Sequence, residues 1–511
     1  MKSIKHILLT ALLVVAFSSC NGWLEVTPQD KQTSDAYWTS QEDVDAVLTS
    51  GYFYLRNITV NNLIPLGELR GGSIFSITSN KLQSFQVKPT DESICNWGPF
   101  YQIINIANVV LADAHKAQLK DDTYEDEELK AHYSEAYFLR ALSYFYLVRN
   151  WGRVPLITTA YEDDSHSYHV PQSSDTVIIQ QIKDDILKAL ATGAAKETYN
   201  TTWETKGRAT KWALYALMAD VCLWSEDYAE AEKFCDFLIH PTSGNAPALM
   251  TTPTHAKWFS MFNPGNSNES IFELQWEYQE KQTNTLPILF DNLNTSKLYQ
   301  LSYQLLMEFN SEYSYTVEEQ LEAVRSMFGG YYTDDALTWE SATKGYVWKY
   351  CGSQTLSDKR TATYYDPNFI IYRMAEIYLM KAEALVLKSD SKADWQTAVD
   401  LINDIRRRSN LEERVFTDDL KEEDLLKMIL YERRMELVGE GKCWYDLLRF
   451  GRRNHNKYKT TFLVDNVTLY NKQAGESWLI SVMSNDDALF LPVSESELKA
   501  NNLLVQNPYY Y

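Results

Sequence analysis

A mainly helical chain, built on tetratricopeptide-like helical hairpins and overlaid by a loop-rich region with short strands, follows from three features of the sequence. Apolar and small residues recur at helical spacing, one helical hairpin occurs twice, and one long stretch loses the helical period. Val44, Val47, Leu48, Gly51, Tyr52 and Leu55 form the first apolar stripe, and Phe100, Ile104, Ala107, Asn108 and Leu111 the second. In the run SEAYFLRALSYFYLVRNWGRVPL, Ala136, Tyr137, Arg140, Ala141, Tyr144 and Val148 fall on one helix face. Small residues between aromatics let a neighbouring helix approach closely, and Gly152 and Pro155 end the helix. Val177, Ile182, Ile186 and Leu190 make a further stripe.

The repeat comes next. Asp227-Tyr228, Ala231, Phe234 and Leu238 match Asp394-Trp395, Ala398, Leu401 and Ile405 at identical spacing. Each set follows a helix with an Ala-acid pair, Ala219-Asp220 in one and Ala382-Glu383 in the other. A small residue on the second helix facing an aromatic at its start is the packing logic of tetratricopeptide hairpins. From about 240 to 368 Gly, Pro, Asn, Ser and Thr are frequent, and Ile271–Trp276 and Tyr346–Tyr350 read as short strands. Loops over a rigid scaffold are where ligand contacts usually sit.

The first nineteen residues carry Lys2, Lys5 and His6, an apolar run from Ile7 to Phe17, and small residues before Cys20. That pattern predicts a secretory signal over 1–19 with lipidation at Cys20, and the run is too short to span a bilayer, which needs roughly 20 apolar residues. The formal charge of −21, taken to −23 by loss of Lys2 and Lys5, disfavours nucleic acid and anionic membrane surfaces. A mature chain of this length exceeds the usual single core, yet no linker divides it. One compact body is expected: an N-terminal helical region over 20–240, then a C-terminal region over 241–511 that is loop-rich to 368, helical over 369–455 and ends in a tail.

Beyond Cys20 there are five cysteines, Cys95, Cys222, Cys235, Cys351 and Cys443, with no CxxC; no disulfide framework is implied. No GxSxG, HExxH, P-loop or GxGxxG occurs, and no cofactor is expected. His166 and His169 sit in a polar loop without a further ligand, so no metal is expected. Glu432, Glu436 and Glu440 share a helix face with Arg433, Arg434, Asp446 and Arg449 nearby. They read as an ion-paired network or, alternatively, as the acid/base pair of a glycan-acting enzyme.

The run from Ser134 to Leu156 closely resembles the signature of the SusD/RagB family, surface lipoproteins that capture nutrients for outer-membrane transporters in Bacteroidetes-type bacteria. Further strings resemble that family in order along the chain. These are Trp23-Leu24-Glu25 with Pro28, Gly67-Glu68-Leu69-Arg70-Gly71, Asn96-Trp97 with Phe100-Tyr101, GRATKWALYALMADVCLW, YRMAEIYLMKAEA, ERRMELVGEGKCWYDLLRFG, and Leu491-Pro492-Val493 with Gln506-Asn507-Pro508. The resemblance implies a non-catalytic, lipid-anchored protein on the outer membrane. It would bind oligosaccharides, or peptides as RagB-like members do, and partner a SusC-like TonB-dependent barrel. A tetratricopeptide-type scaffold that binds only protein is the remaining alternative. The segment Pro89–Trp97 resembles the glycan-contacting loop of the starch-binding member, but here it runs almost directly into the next helix.

A sugar offers hydroxyls at its rim and a weakly apolar face, so its site needs flat aromatics with amides or Arg beside them. Trp276 and Tyr278 alternate along an expected strand and so share one face, and Tyr299 is expected to begin a helix after the polar run Asp291–Lys297. Asn96 and Trp97 close the segment that resembles the glycan-contacting loop, and Arg70 lies in the Glu-Leu-Arg turn. Trp97 reads either as a platform or as the anchor of the following helix. These six residues are the expected ligand contacts.

Overall fold

The structure, a computed structural model, describes residues 37–162, 166–252, 254–290, 299–313, 324–325, 347–353 and 360–511. Cys20 and the expected signal segment lie outside the described residues. The first stripe folds as α1 (Gln41–Asn57), the second as α2 (Gly98–Gln118), and the signature run as α3 (Asp126–Trp151). α4 (Asp175–Ala191) follows, its first turn closed by the Ser174 hydroxyl accepting from Val177 N. α3 ends at Gly152, whose φ of +71° a side chain would resist.

The repeated hairpins are α5 (Lys211–Trp224) with α6 (Tyr228–Ile239), and α7 (Met374–Lys388) with α8 (Lys392–Arg408). Ala231 and Ala398 are wholly buried, as close helix approach requires. Trp395 fills the turn of the second hairpin and donates its indole N–H to the carbonyls of Val386 and Ser389 at 3.2 and 3.0 Å. Successive helices pack in sequence from α1 to α5, α6 lies against α7, and α7 also meets α9 (Glu422–Leu437). The fold is therefore mainly helical, with stacked hairpins in the tetratricopeptide manner. One apolar core runs through all of these helices, and the five cysteines after Cys20 are free thiols, four of them buried. Among the described residues no helix is long and apolar enough to cross a membrane.

Among the described residues strand is confined to three antiparallel pairs: β1 (Ile74–Ser76) with β5 (Tyr299–Leu301), β2 (Val154–Pro155) with β3 (Gln172–Ser173), and β4 (Ser270–Leu274) with β6 (Phe369–Arg373). Three sequence expectations are corrected here. The strand expected to reach Trp276 stops at Leu274, paired with Phe369; beyond that point Pro367 has no N–H for a ladder, and the Trp276 N–H goes instead to the Asn368 side chain at 3.2 Å. Tyr299 begins a strand opposite Ser76, and the helix Tyr303–Tyr313 starts only after Ser302, whose hydroxyl accepts from Leu305 N at 3.3 Å. The segment expected as a strand up to Tyr350 forms a helical turn, Trp348–Cys351, which aims Lys349 inward at Glu440 and sends the Tyr350 hydroxyl to the Gly439 carbonyl at 2.9 Å.

The Glu-Leu-Arg turn packs directly on the chain just after α9. A Cβ on Gly67 would meet the Gly441 carbonyl oxygen at 2.1 Å, so only glycine allows this approach. Glu68 beside it is fully buried and accepts from Gly441 N at 2.7 Å.

Candidate functional site

Just past α1 the chain widens into a π turn, Thr59–Leu63, in which Leu63 N reaches back five residues to the Ile58 carbonyl at 3.1 Å. Thr59 and Val60 are β-branched and Asn61 and Asn62 are weak helix formers, so the regular helical period is poorly supported here. The exposed Asn61 and half-buried Asn62 line a cleft of about 380 Å³. Asn80, Leu82, Ser93, Ile94 and Tyr299 also border it, and Val60, Pro65 and Leu66 add apolar wall.

Its borders are held firmly. Asn80 accepts from Gln83 N at 3.0 Å, and the Gln83 amide is gripped in turn by Ser76 N at 2.9 Å and Asn471 Oδ1 at 3.2 Å. Asp91 accepts from Lys88 N at 2.8 Å, setting the short helix Glu92–Cys95 that carries Ser93. Tyr299 is only 7% exposed, and burial pushes its hydroxyl up to about 12. Among the described residues, the side chains of Asn61, Asn62 and Ser93 and the Tyr299 hydroxyl have no hydrogen-bond partner, so they are open to a ligand. Among the described lining residues none is charged. Uncommitted amides and hydroxyls over an apolar wall, without a charge among the described residues, suit a neutral, hydroxyl-rich ligand.

Of the six expected contacts, the structure brings only Tyr299 to this cleft. Arg70 is a core residue: it donates to the Leu489 carbonyl at 3.0 Å and Asn150 Oδ1 at 2.7 Å, and stacks over Trp444 at 4.4 Å. Burial lowers it to about 10. Trp97 is 3% exposed, set edge-on against Tyr101 and Trp151, so it anchors α2 and offers no platform. Asn96 is exposed, and its Oδ1 accepts from Gly98 N at 2.8 Å at the start of α2. Trp276 is mostly buried beneath the Arg56 guanidinium, and Tyr278 lies edge-on to Tyr364 at 4.6 Å. Since β4 ends before them, Trp276 and Tyr278 share no strand face. Sequence reasoning missed Asn61, Asn62, Asn80 and Ser93. The helix-weak run Thr59–Asn62 directly after a strong stripe was the available signal.

The three glutamates of α9 and the loop after it are enclosed. Glu432 accepts from Arg325 at 2.6 Å and Arg406 at 3.1 Å, and Glu440 from Arg373 at 2.9 and 3.0 Å. Glu436 accepts from Arg373 at 2.6 Å and from Arg408, and those cations outweigh burial to hold it well below the usual carboxylate range. They form a buried ion network. His166 stacks on Tyr161, and His169 pairs with Asn502 at 3.0 Å.

A family model described as the SusD family matches residues 224–510, and one described as starch-binding associating with outer membrane matches residues 22–223. A SusD-like protein of Bacteroides ovatus is 24% identical, over 99% of this chain and 98% of its own. The starch-binding protein SusD of Bacteroides thetaiotaomicron is 23% identical, over 89% and 92%. Among solved structures, a SusD superfamily protein from Bacteroides thetaiotaomicron superposes with a TM-score of 0.72 at 24% identity, over 94% of this chain and all of that one. A laminarin-binding SusD-like protein gives 0.67 at 20% identity, over 93% of this chain.

Proposed function

The chain belongs to the SusD family, and on that premise we propose that it binds neutral oligosaccharides at the Tyr299 cleft without turning them over and passes them to a SusC-like TonB-dependent barrel. The observation that carries the ligand class is a cleft with four uncommitted amide and hydroxyl side chains and no charge among its described lining residues. Starch and laminarin are named for relatives, which supports glucans among the sugars to be tried first. Attachment to the outer membrane through acyl chains on Cys20 completes the reading; the family description of outer-membrane association supports the place, and the basic, apolar and small-residue pattern before Cys20 supports the anchor. Two or more chains are required, since one gives only marginal membrane binding.

Isothermal titration with maltohexaose, laminarihexaose, xylohexaose and mannohexaose tests ligand class. At least one binds in the micromolar to millimolar range, with no product detected after long incubation. Binding of a peptide mixture but of no sugar overturns the reading. For the partner and the anchor, a large barrel co-purifies from solubilised outer membranes, and Cys20→Ala releases the protein from the membrane fraction. Consistent recovery without a barrel refutes the partnership.

A further inference from the structure

A second cleft, of about 650 Å³, opens beside the end of α1 and shares no lining residue with the first. Phe53 and Arg56 come from α1, Trp203 from the short helix Thr202–Gly207, and Gln275, Glu277 and Gln282 from the chain after β4. Its volume falls within the range of small-ligand sites.

Two flat rings are exposed there against the usual preference for burial: Phe53 at 46% and Trp203 at 37%. In the same cleft the Arg56 guanidinium lies 5.5 Å from the Phe53 ring and 5.8 Å from that of the buried Trp276. It is held in place by the Gln275 carbonyl at 3.0 Å and Gln282 Oε1 at 2.6 Å, while its Nε is buried without a partner. Gln275 in turn donates to the Trp203 carbonyl at 2.9 Å, which ties the two walls together. A Cβ on Gly207 would meet Gln275 Oε1 at 1.9 Å, so the glycine there makes room for this tie.

We propose that this cleft is a second oligosaccharide site, in which pyranose faces stack on Phe53 and Trp203 and ring hydroxyls bond Arg56 and Gln282. Glu204, Glu273, Glu277 and Glu280 line the same cleft, and Arg208 is already committed to Glu135 and Asp45. That balance disfavours uronates and sulfated sugars, so the ligand is neutral. Exposed aromatics beside a fixed guanidinium and an amide are what a sugar needs, whereas an apolar partner surface would cover the charges of Arg56, Glu277 and Glu280 without supplying counter-charges. The inference rests on the preceding reading only for the choice of sugars to test.

Fluorine NMR of protein labelled with 5-fluorotryptophan reads this cleft directly, with the Trp203 signal assigned by Trp203→Phe. At millimolar concentration at least one of the four hexasaccharides moves that signal. Phe53→Ala, at an exposed position that tolerates truncation, reduces the shift severalfold, and the Tyr299→Phe, Asn62→Ala double variant leaves it intact. A silent Trp203 signal toward all four sugars overturns the proposal, as does a shift that survives Phe53→Ala. Calorimetric binding with a silent Trp203 sinks the second site alone. A Trp203 shift with calorimetric binding unchanged in the double variant removes the Tyr299 cleft and leaves this one standing.

Discussion

Arg140 grips Asp185 through two parallel hydrogen bonds, Nε to Oδ2 at 2.8 Å and Nη2 to Oδ1 at 2.7 Å, which fasten α3 to α4 with both side chains buried. Its Nη1 reaches Asn108 Oδ1 on α2 at 2.8 Å, so one guanidinium joins three helices. Arg140→Met leaves the Asp185 charge buried and unpaired, and should cost about 3–5 kcal/mol. Replacing both, as Arg140→Met with Asp185→Leu, should cost less than either single change. Urea denaturation of the four proteins measures this; a double variant as unstable as the sum of the singles would show the pair to be uncoupled.

Ala231 and Ala398 sit at equivalent points of the two hairpins with no exposed surface. Leucine at either has nowhere to go without parting two helices, and should destabilise by roughly 1–3 kcal/mol. Thermal melts of Ala231→Leu and Ala398→Leu check it, and unchanged midpoints would argue against close packing there.

Glu68 gives the fold a pH dependence opposite to that of its ion-paired acids. Burial raises its carboxyl from 4.5 to about 8, more than the N–H groups of Gly441 and Lys442 lower it. The folded state therefore keeps a proton that the unfolded chain releases, and stability contributed by Glu68 is full below 4.5, falls as pH climbs, and is lost above about 8. Glu68→Gln, permanently neutral, should remove this slope. Between about pH 5 and pH 8.5 the wild type should lose on the order of 3–5 kcal/mol relative to the variant. Parallel stability curves for the two proteins would show that Glu68 is ionised throughout.

The stripes and the repeat were legible because each is local: residues three and four apart report a helix face without knowledge of the partner. Even the Ala-acid pairs carried meaning, since Asp220 and Glu383 both turn inward to arginines, Arg149 and Arg449. The glutamates of α9 were legible as a set but not in their pairing, because Arg325, Arg373 and Arg408 come from distant parts of the chain. The site was least legible. Aromatic identity pointed to Trp97 and Trp276, yet burial depends on what packs over a ring, and α2 and Arg56 cover these two. The cleft is instead built of asparagines and a serine, common residues that acquire meaning only when the chain leaves them without partners.

Trp97 and Tyr299 therefore separate stability from binding. Trp97 wedges against Tyr101 and Trp151 with almost no exposed surface, so Trp97→Ala opens a cavity worth about 3–5 kcal/mol and lowers the melting temperature. Tyr299→Phe keeps the ring against Phe290, at 5.8 Å, and removes only a hydroxyl that nothing among the described residues engages. The melting temperature should hold. A hydrogen bond to a ligand contributes about 0.5–1.5 kcal/mol, so affinity for whichever hexasaccharide binds should drop roughly 2- to 12-fold. Asn62→Ala should act in the same direction, and the two changes together should reach beyond either alone. Calorimetry on the folded variants decides the matter: normal affinity in the double variant means that the sugar sits elsewhere, and the asparagine-lined cleft is then no ligand site.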